Sequence, residues 1–281
     1  MDAGPLRDVL TVALGVVTGV LSAAFGVGGA VVSTPGIRAL GASALLAVGT
    51  TLPSVLPSAV SGTVRYAREN LVDWDVARRT APAGVVASVV GARLSHSVPG
   101  DGHWIMLATA ALLAFSSWRM WSAGPVDAEV AEPVVDAELA AGEVAPAPAA
   151  MASPAPAAPA ATLVGIGVVA GGLSGLFGVG GGVVMVPAFS QFLRLPLKAA
   201  IATSLVLVGV LAVPGTVTHA LQDGVDWRFA FFLALGVVPG ARMGAAAALR
   251  VTDRRLRLVV SIFLAVVAVA YAGGEVLALT R

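Results

Sequence analysis

Apolar runs separated by short polar loops dominate this chain. Val9–Phe25 is apolar but short for a membrane span, and Gly26-Val27-Gly28-Gly29 interrupts it. Ala30–Leu40 resumes the apolar pattern, and Ala42–Tyr66 follows as a span kinked by Pro53 and Pro57. A polar loop (Arg68, Glu69, Asn70, Asp73, Asp75, Arg78, Arg79) leads to spans at Thr80–Ser97 and Trp104–Trp121. Beyond residue 161 the pattern returns. Leu163–Phe177 is broken at Gly178–Gly182, then come Val183–Leu195, Leu197–Ala220, Trp227–Leu249 and Leu256–Ala278. Trp74, Trp104 and Trp121 fall at span ends, where indoles favour the headgroup layer.

The two breaks are copies of one another. Leu21–Pro35 reads LSAAFGVGGAVVSTP and Leu173–Pro187 reads LSGLFGVGGGVVMVP, 152 residues later. After one inserted residue the offset becomes 153. Thr50-Thr51 then lies over Thr203-Ser204, Gly62-Thr63 over Gly215-Thr216, and Asp73-Trp74 over Asp226-Trp227. A nearly constant offset that preserves an Asp-Trp pair indicates a duplicated unit. It also argues that residues 1–25 are mature structure rather than a cleaved signal, because the same motif recurs mid-chain. Residues 123–161 hold six acidic residues, no basic ones and seven prolines, the composition of a flexible linker.

Composition narrows the class. The chain is 57% hydrophobic and 12% charged, against about 25% charged in soluble domains. Runs of 18 or more apolar residues suit a hydrocarbon core of about 30 Å. Alternating ten-residue segments of barrel type are missing, so helices are expected to carry the spans. There is no basic tract for nucleic acid, and the absence of cysteine removes disulfides and thiolate sites. The fold class expected is an all-α integral membrane protein of about eight hydrophobic helical segments. They form two homologous, inverted repeats (5–122 and 162–280) around linker 123–161, each with a glycine-broken first helix or re-entrant hairpin.

Charge distribution selects the inverted arrangement. Four crossings per half would divide the flanking basic residues 8 to 8. Re-entrant breaks leave three crossings per half. One face then collects Arg65, Arg68, Arg78, Arg79, Arg119, Arg194, Lys198, Arg250, Arg254, Arg255 and Arg257, against Arg7, Arg38, Arg93, Arg228 and Arg281 on the other. By the positive-inside rule the richer face, with the linker, is cytoplasmic. Inverted repeats with broken helices are a recurring plan of secondary transporters.

The candidate site follows from the breaks. Broken helices expose N-termini that attract anions, and glycine leaves backbone amides uncovered. Substrate contacts are expected from Gly26, Gly28, Gly29, Gly178, Gly180, Gly181 and Gly182, with hydroxyls from Ser22, Thr50, Thr51, Ser174, Thr203 and Ser204. The competing reading is that these small residues serve close helix packing. Arg242 is the one charge well inside a span and joins the list as an anion contact, with snorkelling as its alternative; Val89 takes its place in the first half. Asp73 and Asp226 suit helix caps. His96, His103 and His219 lack metal-ligand spacing, and no nucleophile–base arrangement suggests an enzyme. A nucleotide loop is excluded, since neither a preceding strand nor a Walker lysine accompanies the glycines. No cofactor or metal is expected.

At these residues the chain resembles the sulfite exporter TauE/SafE family of membrane transporters. The resemblance is carried by SAAFGVGGA at Ser22–Ala30, SGLFGVGGG at Ser174–Gly182 with Pro187, ATS at Ala202–Ser204, and the Asp-Trp pair followed by Gly236, Gly240 and Gly244. The first copy departs from it at Ala23, Ala30 and Thr50-Thr51. The resemblance implies a multi-pass inner-membrane permease for sulfur-containing anions such as sulfite, sulfonates, sulfoacetate or thiosulfate. The partners expected are a small anionic solute and the lipid bilayer, with a homo-oligomer as a further candidate. A passive anion channel and a non-transporting membrane scaffold or sensor are the rival functions.

Overall fold

The computed structural model describes residues 4–95, 97, 103–122, 159–178 and 180–279, and these form ten α-helices with no strand among them. The helices are α1 (Pro5–Phe25), α2 (Ala30–Ala39), α3 (Ala44–Ala67), α4 (Trp74–Ser95) and α5 (His103–Ser122), then α6 (Ala160–Phe177), α7 (Gly182–Phe192), α8 (Leu197–Ala220), α9 (Trp227–Arg250) and α10 (Asp253–Leu279). The count exceeds the expected eight because each glycine break makes two helices of one apolar run. Most of the expected linker lies outside the described residues, but Ala160 and Ala161, assigned to it above, open α6.

Helix starts differ from the apolar pattern for a local reason. Proline at N1 opens α1 at residue 5 rather than 9, so α1 is 21 residues long. At about 1.5 Å per residue that is long enough to cross a membrane. α4 begins at Trp74, inside the expected polar loop, because Asp73 Oδ1 accepts from the N–H groups of Asp75 and Val76 at 3.1 and 3.0 Å. Arg79 pairs with Asp75 one turn on, at 3.1 Å. Among the described residues, five helices are long and apolar enough to span: α1, α6, α8, α9 and Asp253–Gly274 of α10.

Small residues set which helices touch. Gly236, Gly240 and Gly244 of α9 lie in turn against the backbone of Val12, Val16 and Val20 of α1, so these two helices run side by side in one direction. Gly167, Gly171 and Gly175 of α6 meet Thr80, Gly84 and Ser88 of α4 in the same way. Neither contact has room for a Cβ, and this close backbone approach is how small residues join helices where lipid removes the hydrophobic drive. α3 and α8 run in opposite directions: Gly62 faces Leu205, Ala59 faces Gly209, and Leu52 faces Gly215. Ser117 of α5 donates to the Ser261 carbonyl of α10 at 2.8 Å. The short helices turn back on their predecessors. Gly29 faces Thr18 and Gly36 faces Leu14, so α2 returns along α1; Gly181 faces Ala170, where α7 begins its return along α6.

Replacing Gly240 or Gly171 by Leu forces a side chain into facing backbone, an overpacking that costs at least about 1–3 kcal/mol. Both variants should lose the monodisperse peak in detergent size-exclusion chromatography. Gly165→Leu, which points into open space, should keep it.

Candidate functional site

Each break is a helix C-cap made by left-handed glycine. Gly26 has φ 67° and its N–H donates to the Ser22 carbonyl at 2.8 Å; Gly178 has φ 66° and donates to the Ser174 carbonyl at 2.9 Å. The equivalent pair two residues on, Gly28 and Gly180, also match, at φ 83° and 82°. The third pair diverges. Gly29 enters α2 with φ −62°, whereas Gly181 enters α7 with φ 69°.

The two breaks meet in the middle of the protein. A Cβ on Gly180 would stand 3.6 Å from the Gly28 Cα, and one on Gly182 would overlap the Gly26 carbonyl and Val27. Ala30 stands in the first half where Gly182 stands in the second, so only the second copy needs glycine there to admit its twin. All the candidate glycines are buried. Neither α2 nor α7 has a side-chain cap, so their first-turn amides are the polar groups the helices offer. The buried residues with polar side-chain groups among those described are serines, threonines, Tyr66, Tyr271 and His219, none of them a carboxylate or a permanent cation. A negative solute at this point would therefore be met by amide and hydroxyl dipoles.

The first break is closed. The crevice beside the first, lined by Leu21, Ser22, Val27–Gly29, Val31, Val32 and Phe263, is too narrow for a water molecule. Phe263 packs on Phe25 with ring centroids 4.9 Å apart. Backbone, Ser22 and apolar side chains thus wall the space beside the first break.

Several of the expected hydroxyls bond to backbone in this structure. Thr50 Oγ1 accepts from the Asp226 N–H at 2.8 Å, and Thr203 Oγ1 accepts from the Asp73 N–H at 3.0 Å. These are equivalent positions exchanged between halves: each threonine anchors the turn that starts the other half's Asp-Trp helix. Ser204 Oγ donates to the carbonyls of Gly26 and Ile201, at 3.0 and 2.9 Å, and so braces the first break. Thr51 donates to the Val48 carbonyl at 2.9 Å and lies 3.5 Å from Thr34 Oγ1. Ser22 accepts from Ser58 at 3.1 Å and lines the closed crevice. Ser174 is wholly buried with no hydrogen-bond partner for its hydroxyl. Arg242 does not join this group; it sits on the exposed face of α9, where snorkelling suffices to explain it.

Other residues at the first break carry little sequence signal. Thr18 is fully buried with an unpartnered hydroxyl, and its methyl contacts the space a Gly29 Cβ would fill. Tyr66 donates to the Ala23 carbonyl at 2.8 Å and Tyr271 to the Val31 carbonyl at 3.2 Å, one on each side of the same break. The one visible cue was polarity inside an apolar run: Thr18 and Ser22 are four apart on α1. His96 lies outside the described residues, and His219 is buried beside Gly49 and Gly224.

Known proteins supply the context. The family model for Sulfite exporter TauE/SafE matches residues 11–271. "Probable membrane transporter protein YunE" of Bacillus subtilis is 26% identical over 265 residues, covering 91% of this chain and 94% of its own. A "Probable membrane transporter protein" of Xylella fastidiosa is 26% identical over 244 residues, covering 86% and 85%. "Probable membrane transporter protein MamO" of Magnetospirillum gryphiswaldense is 29% identical over 199 residues, covering 66% of this chain but 31% of its own. No solved structure matches the chain significantly. The chain belongs to the sulfite exporter TauE/SafE family of membrane transporter proteins.

Thr50→Val and Thr203→Val should each leave an amide without its acceptor, costing about 1–3 kcal/mol. The check is thermal unfolding in detergent: both Tm values should fall. An unchanged Tm with lost solute binding would return these threonines to the role of ligands.

Proposed function

We propose that this TauE/SafE family member is a secondary transporter of the inner membrane for a small anion of oxidised sulfur. Its solute would bind between the glycine breaks, on the first-turn amides of α2 and α7. The observation that carries this is the direct meeting of the two breaks at Gly28 and Gly180, with uncapped helix starts beside them. Two dipole ends converging on one point favour a negative charge without a fixed cation. The closed crevice at Gly28–Gly29 supports a carrier in its occluded form rather than a standing pore. Opening requires the hairpins α1–α2 and α6–α7 to part, which the duplicated plan allows by rocking one half against the other.

The inverted repeat is part of the proposal. The opposite directions of α3 and α8, which occupy equivalent places in the two copies, support it, as does the return of α2 along α1. On this reading α1 and α6, although long enough to span, enter as arms of re-entrant hairpins, so each half crosses three times, with the linker 123–161 on the cytoplasmic side among the basic loops. Sulfite, thiosulfate and sulfonates share the tetrahedral or pyramidal oxyanion that such amides can surround. The family's description points to the first of these.

Purified protein in vesicles should take up labelled sulfite, sulfonate or thiosulfate with saturation. Gly180→Leu places a side chain at φ 82° against Val208 and Gly28, and it should abolish that flux while membrane insertion persists. Undiminished flux in this variant would remove the glycine site. For topology, the chain has no cysteine, so single thiols can be introduced directly. Glu69→Cys and Gln222→Cys, exposed after α3 and α8, should react with an impermeant maleimide from opposite faces; labelling from one face would favour parallel halves.

A further inference from the structure

A second cavity, of about 390 Å³, lies apart from the glycine breaks, between α5 and the α6–α7 hairpin. Its walls are apolar, built from stripes that include Phe115 of α5, Val169 and Leu173 of α6, and Phe192 of α7. Phe115, Val169 and Phe192 are half or more exposed, so in a membrane protein the groove faces acyl chains rather than water. Arg119 closes one end. Its guanidinium lies 5.9 Å from the Phe192 ring centroid, and its carbonyl accepts from Gln191 Nε2 at 3.0 Å. Among the described residues no carboxylate lies within ion-pair distance of this arginine. Trp118 and Trp121, both exposed beside it, mark that end as headgroup depth. From Arg119 the groove follows α5 back to Leu112, about 10 Å at the helical rise, a large part of one leaflet of a ~30 Å core.

We infer that this groove is a binding site for one anionic phospholipid, whose acyl chain lies between α5 and the second hairpin and whose phosphate pairs with Arg119. The chemistry matches at both ends: an apolar trough at acyl depth and, at headgroup depth, a cation with no carboxylate partner among the described residues. The equivalent crevice at the first hairpin, bounded by Leu21 and Val32 where the groove has Leu173 and Val184, has no room for a chain. Of the two hairpins, only the second offers a groove for a chain. Seated there, the lipid braces the second hairpin against α5, a support that the first hairpin draws from Phe25 on Phe263.

The test is native mass spectrometry of the full chain released from phosphatidylcholine nanodiscs doped with phosphatidylglycerol. One phosphatidylglycerol should remain bound, preferred over phosphatidylcholine by about fivefold, the value of one basic residue at an anionic surface. Arg119→Gln should bring that preference to parity. Val169→Trp, a change at a half-exposed position that leaves the packed interior untouched, should remove the bound lipid by filling the groove. The inference is overturned if no lipid is retained or if retention persists in Val169→Trp. It is equally overturned if Arg119→Gln keeps the preference, or if a dimer that Val169→Trp dissociates occupies the groove instead.

Discussion

The structure depends on backbone approaching backbone. At the two breaks the segments touch backbone to backbone: Gly180 lies on Gly28, and at Gly182 a side chain would run into the Gly26 carbonyl and Val27. The same constraint recurs along α1–α9 and α4–α6, where glycines at every fourth position rest on facing carbonyls. In lipid the hydrophobic effect supplies no drive between helices, so close packing and polar contacts must hold the bundle. Glycine serves both needs here. It lets α1 against α9 and α4 against α6 approach as rigid pairs, and it lets the chain reverse where those pairs meet.

Polar contacts then connect one half to the other. Thr50 reaches the turn before α9, and Thr203 reaches the turn before α4. Ser204 of the second half grips the first break at the Gly26 carbonyl. A movement that separates the hairpins must carry these bonds with it or break them. On the proposed carrier reading, the reciprocal threonines mark where the halves stay attached. The crevice closed by Phe263 marks where they part.

The halves are alike in plan and unlike in detail. The first break is held by two tyrosine hydroxyls, at Ala23 and Val31, and lined by a Ser22–Ser58 pair. In the second half His219 replaces Tyr66, Leu211 replaces Ser58, and the hydroxyl of Ser174 stays unpartnered. An open groove lies beside the second hairpin where the first has a closed crevice.

Much of this was legible in the linear pattern. Low charge and long apolar runs required membrane helices, because unpaired backbone cannot be sheltered in hydrocarbon by other means. The paired GVGG motifs located both interruptions to the residue, since an αL cap strongly favours glycine. Asp73 and Asp226 were readable as caps for the same local reason. What lay beyond reach was non-local. Thr50 and Thr203 read as substrate contacts or packing residues, and their bonds to Asp226 and Asp73, 176 and 130 residues away, were not visible. Arg242 read as either an anion contact or a snorkelling charge, and only packing against α1 and α3 shows that it lies on the exposed face of α9. The tyrosine latches, the unpartnered Thr18 and the groove at Arg119 arise only where several helices converge. Local backbone chemistry determined the interruptions; three-dimensional packing alone decided what each hydroxyl and cation touches.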